Sequence, residues 1–488
     1  MPLIAANPPP ITAVGLVTCD RTTSLVACLD SYLENCRHHQ RDPEFIITDD
    51  SATEAVQDQT RAALQACRTQ HGAQIRYGSR RERTRFVEAL AREAAAPLEI
   101  VRFGILGDDR CTRSTGANRN SLLLDSVDAL ALSVDDDTRC RTAAPPDPRD
   151  GLAFFSGYDP TEFWFIDEER SAIDSASHLD ADVLSCHEAL LGRATADLNG
   201  AAAPGRVVTT VHGLAGDSGM ASPRYYLGLD GASRERLVAS PTVYRSAFRS
   251  REILRAVRRL TCSTGTFFMS TFFGYDNREL LPPFFPVLRN ADGIFGLILQ
   301  RSVDGSHIGY LPSVLVHRPV PSRIFAPEAM WAETRSLRMA DVIIACVLAH
   351  NEGTTPRSDA TRLVELGRSL QAFGSLTRAD FEARVRGLHQ LRMMAFITVL
   401  QTRLQTHAAS PTFWADDVKR MIEALSKQTW TDDAIVPTDL RLGNDVDSAR
   451  RLSQELVARF GELLEAWPAI VAAARRLRAG GCRLTTAI

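Results

Sequence analysis

Residues 130 to 137, LALSVDDD, end an apolar run on three consecutive carboxylates, Asp135, Asp136 and Asp137. Carboxylates crowded at the end of a buried strand repel one another and lose hydration, so they require hydrogen-bond donors or a cation. Hard oxygen ligands with open positions suit Mg2+ or Mn2+, and these ions bridge to phosphate oxygens. The chemistry on offer is diphosphate binding through a divalent metal. The plainer alternative is a solvated turn in which one acid caps the next helix. A second pair, Asp49 and Asp50, ends the short β-branched run EFIITDD. Asp292 in NADGIFG and His317 at the end of GYLPSVLVH are further candidates. The competing reading of Asp292 is a turn residue, since Asn-x-Asp-Gly favours turns. That of His317 is a satisfied histidine at a strand end.

Elements must carry these side chains to one place. ITAVGLVTC has the length and composition of a strand, and SLVACLDSYLENCRHH spaces Leu25, Leu29, Tyr32 and Leu33 at helical intervals. EFIITDDS reads as strand, TEAVQDQTRAALQACRTQHG as helix, AQIRYGSR as strand and TRFVEALAREAA as helix. NRNSLLLDSVDALALSVDDD reads as helix, turn and strand. This alternation predicts an α/β fold with a mostly parallel sheet. Ligands of such sheets sit beyond the carboxyl ends of the strands, where ITDD and SVDDD place their acids. The stretch RTAAPPDPRDG predicts a linker at 141–151. Residues 151–240 read as a variable insertion, with SGYDPTEFWF, NGAAAPGR and GLAGDSGMASP as loops, and 241–325 as compact structure again. From 326 to 488 amphipathic helices dominate and predict a helical domain. In FEARVRGLHQLRMMAFITVLQTRLQ, residues Val385, Leu388, Leu391, Phe396, Val399 and Leu404 can share a face.

A chain of 488 residues exceeds one ordinary core, so two or three domains are expected. Its 56 basic and 59 acidic side chains give a net charge of −3, which leaves no electrostatic footprint for nucleic acid. Ten cysteines include no CxxC pair, which disfavours a zinc ribbon or redox couple. No apolar run approaches the ~18 residues of a membrane span. The opening MPLIAANPPPITAVG lacks a basic stretch followed by a long apolar core, so no signal peptide is expected. The expected location is cytoplasmic, with reduced thiols.

Over about residues 10–320 these pieces resemble GT-A glycosyltransferases, nearest in pattern to the inverting family-2 enzymes. VGLVTCDRTTSLVACLDSYL resembles their opening strand and helix, and FIITDDSAT a second strand that ends in DDGS, with Ser51 where the glycine would be. GANRNSLLL…LALSVDDDT is similar to the ARNxGxxxA…xxDxD block. STGTFFMSTFFGYDNRELLPPFFPVLRNADGIFG resembles the acceptor half, with Ala291-Asp292 in place of the usual Glu-Asp. GYLPSVLVHRP resembles the last core strand with its terminal histidine.

The resemblance implies a Rossmann-like GT-A sheet, 1–150 as the nucleotide-sugar half and 241–325 as the acceptor half, with the helical domain appended. It implies Asp49 or Asp50 on the base and Asp20, or the turn around Thr18, on the nucleoside. Asp135 would face the ribose or a metal-bound water, Asp137 would bind Mn2+ or Mg2+, and His317 would be a further ligand. Asp292 would be the general base, with Arg119 and Asn120 supporting the donor pocket. The implied donor is a nucleoside-diphosphate sugar. The acceptor, a peptide, saccharide or small molecule, stays open, as does docking or dimerisation through the helices. The aromatic PPFFP and YDPTEFWF segments are expected to wall the acceptor pocket.

Three alternatives compete. A nucleotidyltransferase would carry a glycine-rich loop after the first strand, which TCDRTTSLVA lacks. A non-catalytic scaffold of the same fold is the reading from a different class. GDSG at 216–219 suggests a serine-protease nucleophile, but the strand–helix alternation argues against that all-β architecture. Ser218 is expected in a loop over the cleft.

Overall fold

The computed structural model describes residues 9–166, 171–198, 205–332, 337–351, 357–428 and 434–488. Its N-terminal part is the expected alternation: β1 (Ala13–Thr18), α1 (Thr22–His38), β2 (Glu44–Asp49), α2 (Glu54–His71), β3 (Ile75–Gly78) and α3 (Arg80–Ala94). Two further helices, α4 (Leu98–Leu106) and α5 (Thr115–Asp125), lead into β4 (Leu130–Asp135) and β5 (Thr138–Ala144). β1 is buried at every position, as a strand covered on both faces must be, and its apolar run shows no alternation. Strands β3, β2, β1 and β4 lie side by side and parallel. Their register pairs Thr18 with Asp49 and Val17 with Asp135, so the two acid-bearing strands end level on either side of β1.

Beyond β4 the sheet becomes mixed. Strand Phe272–Asp276 runs antiparallel to β4, strand Arg206–Asp217 follows, and strand Ser306–His317 lies parallel to it. Residues 151–240, expected to be irregular, therefore supply a 12-residue central strand. RVVTTVHGLAGD is buried along almost its whole length, so no polar alternation marked it as a strand. The expected linker at 141–151 is also shorter than read, because Arg141–Ala144 extend β5. The NGAAAPGR loop falls largely outside the described residues.

The helical region covers both faces of the sheet. One core joins Phe86, Phe103, Leu122 and Phe295 to Leu456, Phe460 and Trp467 of helix Val446–Ala479. Trp467 donates its indole N–H to the Leu281 carbonyl at 2.8 Å. On the opposite face, Leu16, Leu29 and Phe163 share a core with Trp414, Val418 and Met421 of helix Thr412–Ser426. Helix Arg378–Thr406 buries Val385, but Leu391 and Val399 are exposed, so the apolar residues of that segment do not form one buried face. Among the described residues, no helix is long and apolar enough to cross a membrane. Thr486–Ala487 pairs with β3 and covers that edge of the sheet.

Candidate active site

The strand register assembles the site. β5 pairs antiparallel with the end of strand Ser306–His317, setting His317 opposite Thr138 and thus beside Asp137. His317 Nε2 lies 3.3 Å from the Asp137 carboxylate. Its Nδ1 lies 2.6 Å from the Asp217 carbonyl oxygen, which accepts the Nδ1 proton and leaves Nε2 to face Asp137. Gly216 makes this approach possible: its φ is +119°, and a Cβ there would lie 2.3 Å from the His317 carbonyl oxygen. Burial works against both charged partners. For His317 the hydrogen bond and charge of Asp137 more than offset it, so its pKa is raised. For Asp137 the interactions with His317 and Arg21 more than offset it, so its pKa is lowered.

Arg21, at the turn after β1, reaches Asp136 at 2.9 Å and Asp137 at 3.0 Å. Asp136 also accepts the Thr18 hydroxyl at 2.7 Å, yet burial keeps its pKa up at about 6. Asp135 faces another way, with Arg119 at 2.5 Å. Burial raises its pKa, Arg119 opposes the rise, and the two neighbouring carboxylates reinforce it. Asp135, Asp137 and His317 do not bring their ligand atoms within 4.8 Å of one another. Among the described residues that closeness is reached by His38, His39 and Asp180, a partly exposed surface group. Asp137 and His317 therefore fit a divalent cation as one carboxylate oxygen and one imidazole, while Asp135 must leave Arg119 to join them.

Arg119 also connects the acids to Asp292. Its guanidinium donates to the Ser270 carbonyl at 3.1 Å, and its charge acts on the Asp292 carboxyl. Asp292 sits in the first turn of helix Ala291–Ser302, and its Oδ1 accepts the Gly293 N–H at 3.0 Å. Burial raises its pKa against the opposing charge of Arg119. Arg119 thus acts on two carboxyls, Asp135 through a direct contact and Asp292 through its charge. The aromatic wall differs from expectation. Phe284 and Phe285 of PPFFP are fully buried core residues, whereas Tyr158 is 59% exposed and packs edge-on against Phe267 with ring centroids 5.7 Å apart.

The remaining candidates divide. Asp49 is fully buried, with one oxygen accepting Ser51 N–H and hydroxyl at 2.8 and 2.5 Å and the other accepting Tyr77 at 2.6 Å. Its hydrogen bonds organise the fold and leave it no ligand-facing edge. Asp50 is also buried, bound by Arg83, Ser114 and Arg80. Asp20 is exposed in the left-handed region at φ 54°, and its N–H donates to Ser51. Asn120 is fully buried and bridges Gly104 to Phe284, so it is structural. Ser218 is buried, its N–H donating to the Arg251 carbonyl at 2.7 Å, rather than arching over the cleft.

Several site residues escape the sequence reading. Asn118 donates to the carbonyls of Thr18 and Thr48, both at 3.0 Å, tying together the ends of β1 and β2. The NRN triplet was the available signal, with Asn118 next to Arg119. Arg21 directly follows Asp20, but only the fold reveals that it crosses to β4. Asp217 lies in the GDSG stretch and Ser270 in STGTFFMSTFFG, but neither residue itself was a candidate. No protein-family model matches the chain, and no curated protein matches it.

Proposed function

We propose that the chain is a metal-dependent glycosyltransferase that uses a nucleoside-diphosphate sugar. The observation that carries this reading is the meeting of Asp137 and His317 at 3.3 Å beside the level carboxyl ends of β1, β2 and β4. The strand order β3-β2-β1-β4 followed by an antiparallel strand is compatible with the GT-A architecture, which has acids at the same strand ends. Asp137 and His317 would hold the cation, with Asp135 completing the set. A bound Mn2+ or Mg2+ would neutralise charge on the departing nucleoside diphosphate.

In the transfer, the bond from the anomeric carbon to the diphosphate oxygen breaks and a bond from that carbon to the acceptor forms. Asp292 takes the acceptor's proton, and its burial-raised pKa suits a base working nearer neutrality. Arg119 positions the two sides through Asp135 and Ser270. Asp292 acting from the face opposite the leaving group gives inversion.

A second reading, a non-catalytic scaffold, draws on Arg21, which already balances Asp136 and Asp137 without a metal. The test is a thermal-shift panel of nucleoside diphosphates and their sugars with Mn2+, Mg2+ or EDTA, since a ligand of the folded state raises its melting temperature. A metal-dependent shift that disappears in Asp137→Ala supports the enzyme. Asp292→Asn should keep that shift and lose donor turnover, followed as sugar release. A folded chain that responds to none of these ligands, with or without metal, returns the scaffold reading.

A further inference from the structure

His38 ends α1 and His39 caps it, and both imidazoles turn to Asp180, which lies just before helix Val183–Glu188. The His38 Nε2 lies 3.1 Å from Asp180 Oδ1, and the His39 Nε2 lies 3.5 Å from the same oxygen. The two rings meet edge-on with centroids 4.6 Å apart. One ligand atom from each of the three residues falls within 4.8 Å of the others. Hydrogen bonds on either side hold the pieces in place. Asn35, one turn before His39, donates to the Ala181 carbonyl at 2.9 Å and accepts the Val183 N–H at 3.2 Å. Arg41 reaches Asp182 at 3.1 Å, and the Leu179 N–H donates to the Thr142 carbonyl of β5 at 3.0 Å. The backbone of Asp180 is therefore pinned on both sides, although its carboxylate is open to solvent.

The plainer reading is a pair of surface histidines hydrogen-bonded to an acid. It accounts for His38 but not for His39, whose Nε2 is shut off from water and makes no hydrogen bond. At 3.5 Å that nitrogen is too far from Asp180 for a good hydrogen bond. A bound metal accounts for both distances. Zinc held tetrahedrally by imidazole and carboxylate at about 2.0–2.1 Å keeps its ligand atoms about 3.3–3.5 Å apart. The observed 3.1 and 3.5 Å match that edge. The carbonyl end of a helix also favours a cation. We infer that His38, His39 and Asp180 form a site for a zinc-class transition metal, which ties the end of α1 to residues 179–183. Two imidazole ligands set it apart from oxygen-seeking Mg2+. It is also remote from Asp137 and His317, because the 17 residues of α1 put its far end roughly 25 Å from Arg21. The inference stands whether or not the proposed function does.

The experiment is calorimetric titration of Zn2+ into the full chain, without a purification tag, stripped of metal with EDTA, dialysed and kept reduced. A saturable site is expected. His38→Gln/His39→Gln should weaken it on the order of a hundredfold or more, since even the outer-shell partners of metal ligands are worth about 10–100-fold. Asp180→Asn changes an exposed side chain and should weaken it at least roughly tenfold, which decides the matter if the double variant folds poorly. Asp137→Ala should leave it intact. Zinc should raise the melting temperature of the parent and not that of the histidine or Asp180 variants. Absence of zinc binding by the folded chain overturns the site. So does equal zinc binding by the parent, the histidine variant and Asp180→Asn, whether the ion then sits on the exposed thiols of Cys19 and Cys482 or on Asp137 and His317.

Discussion

The strand that carries Asp217 also carries His212, and its stability should depend on acid in a way traceable to one imidazole. His212 and His187 are both buried and stack edge-on with centroids 4.5 Å apart. Each uses Nδ1 in one hydrogen bond, to Ser313 at 2.8 Å and Thr210 at 2.7 Å respectively. Burial pushes His212 from 6.5 down to about 4, and pushes His187 down in the same direction. A histidine whose pKa is depressed by folding contributes its stability above the unfolded value and loses it as pH falls toward the folded one. The window is therefore 6.5 down to about 4. At pH 5 the unfolded chain is protonated and the folded His212 is not, which costs about 2 kcal/mol at roughly 1.36 kcal/mol per pH unit. Other groups, Asp136 among them, titrate in the opposite sense, so the bare pH profile mixes contributions. His212→Gln isolates this one, because glutamine can reach Ser313 yet cannot take up a proton. Urea unfolding of both proteins from pH 7.5 to 5 should show the parent losing about 2 kcal/mol more than the variant. Parallel profiles would mean that His212 titrates alike in the folded and unfolded chain, and the argument from its burial would be wrong.

Gly216→Ala should disturb His317, because the new methyl would lie 2.3 Å from its carbonyl oxygen at a φ of +119°. The expected result is about 1–3 kcal/mol of lost stability and a weaker metal-dependent ligand shift, read in the same melting assay. Arg83→Met leaves Asp50 buried without its innermost partner, since the Arg83 side chain is fully buried against it. Urea unfolding should report a loss of about 3–5 kcal/mol, and a loss below 1 would show that Ser114 and Arg80 suffice. Deleting residues 482–488 removes three hydrogen bonds that Thr485 and Arg483 make to the fully buried Asp125 carboxylate, at 3.1, 2.8 and 2.7 Å. It also uncovers the β3 edge, so light scattering on warming should show earlier aggregation than in the full chain.

Local sequence by itself determined the elements of the first half and the acids at their ends. Runs such as AVGLVT and EFIITD have the short length and β-branched content of buried strands, and the helices between them repeat at the helical period. The central strand Arg206–Asp217 was not legible, because a strand buried on both faces shows no polar alternation and its flanks carry loop signals. Which acids face a ligand was likewise beyond the sequence. Asp49 and Asp50 are adjacent in the chain, yet one turns to Ser51 and Tyr77 and the other to Arg83 and Ser114. PPFFP looked like a pocket wall and is core: Phe284 and Phe285 are fully buried, and α5 packs against their backbone at Gly116, where a Cβ would lie 1.8 Å from the Phe285 carbonyl oxygen. The meeting of Asp137, His317 and Asp217 was decided only by tertiary structure. These residues come from strands far apart in the chain, and only the register of the sheet, fixed by burial on both faces, sets their ends side by side.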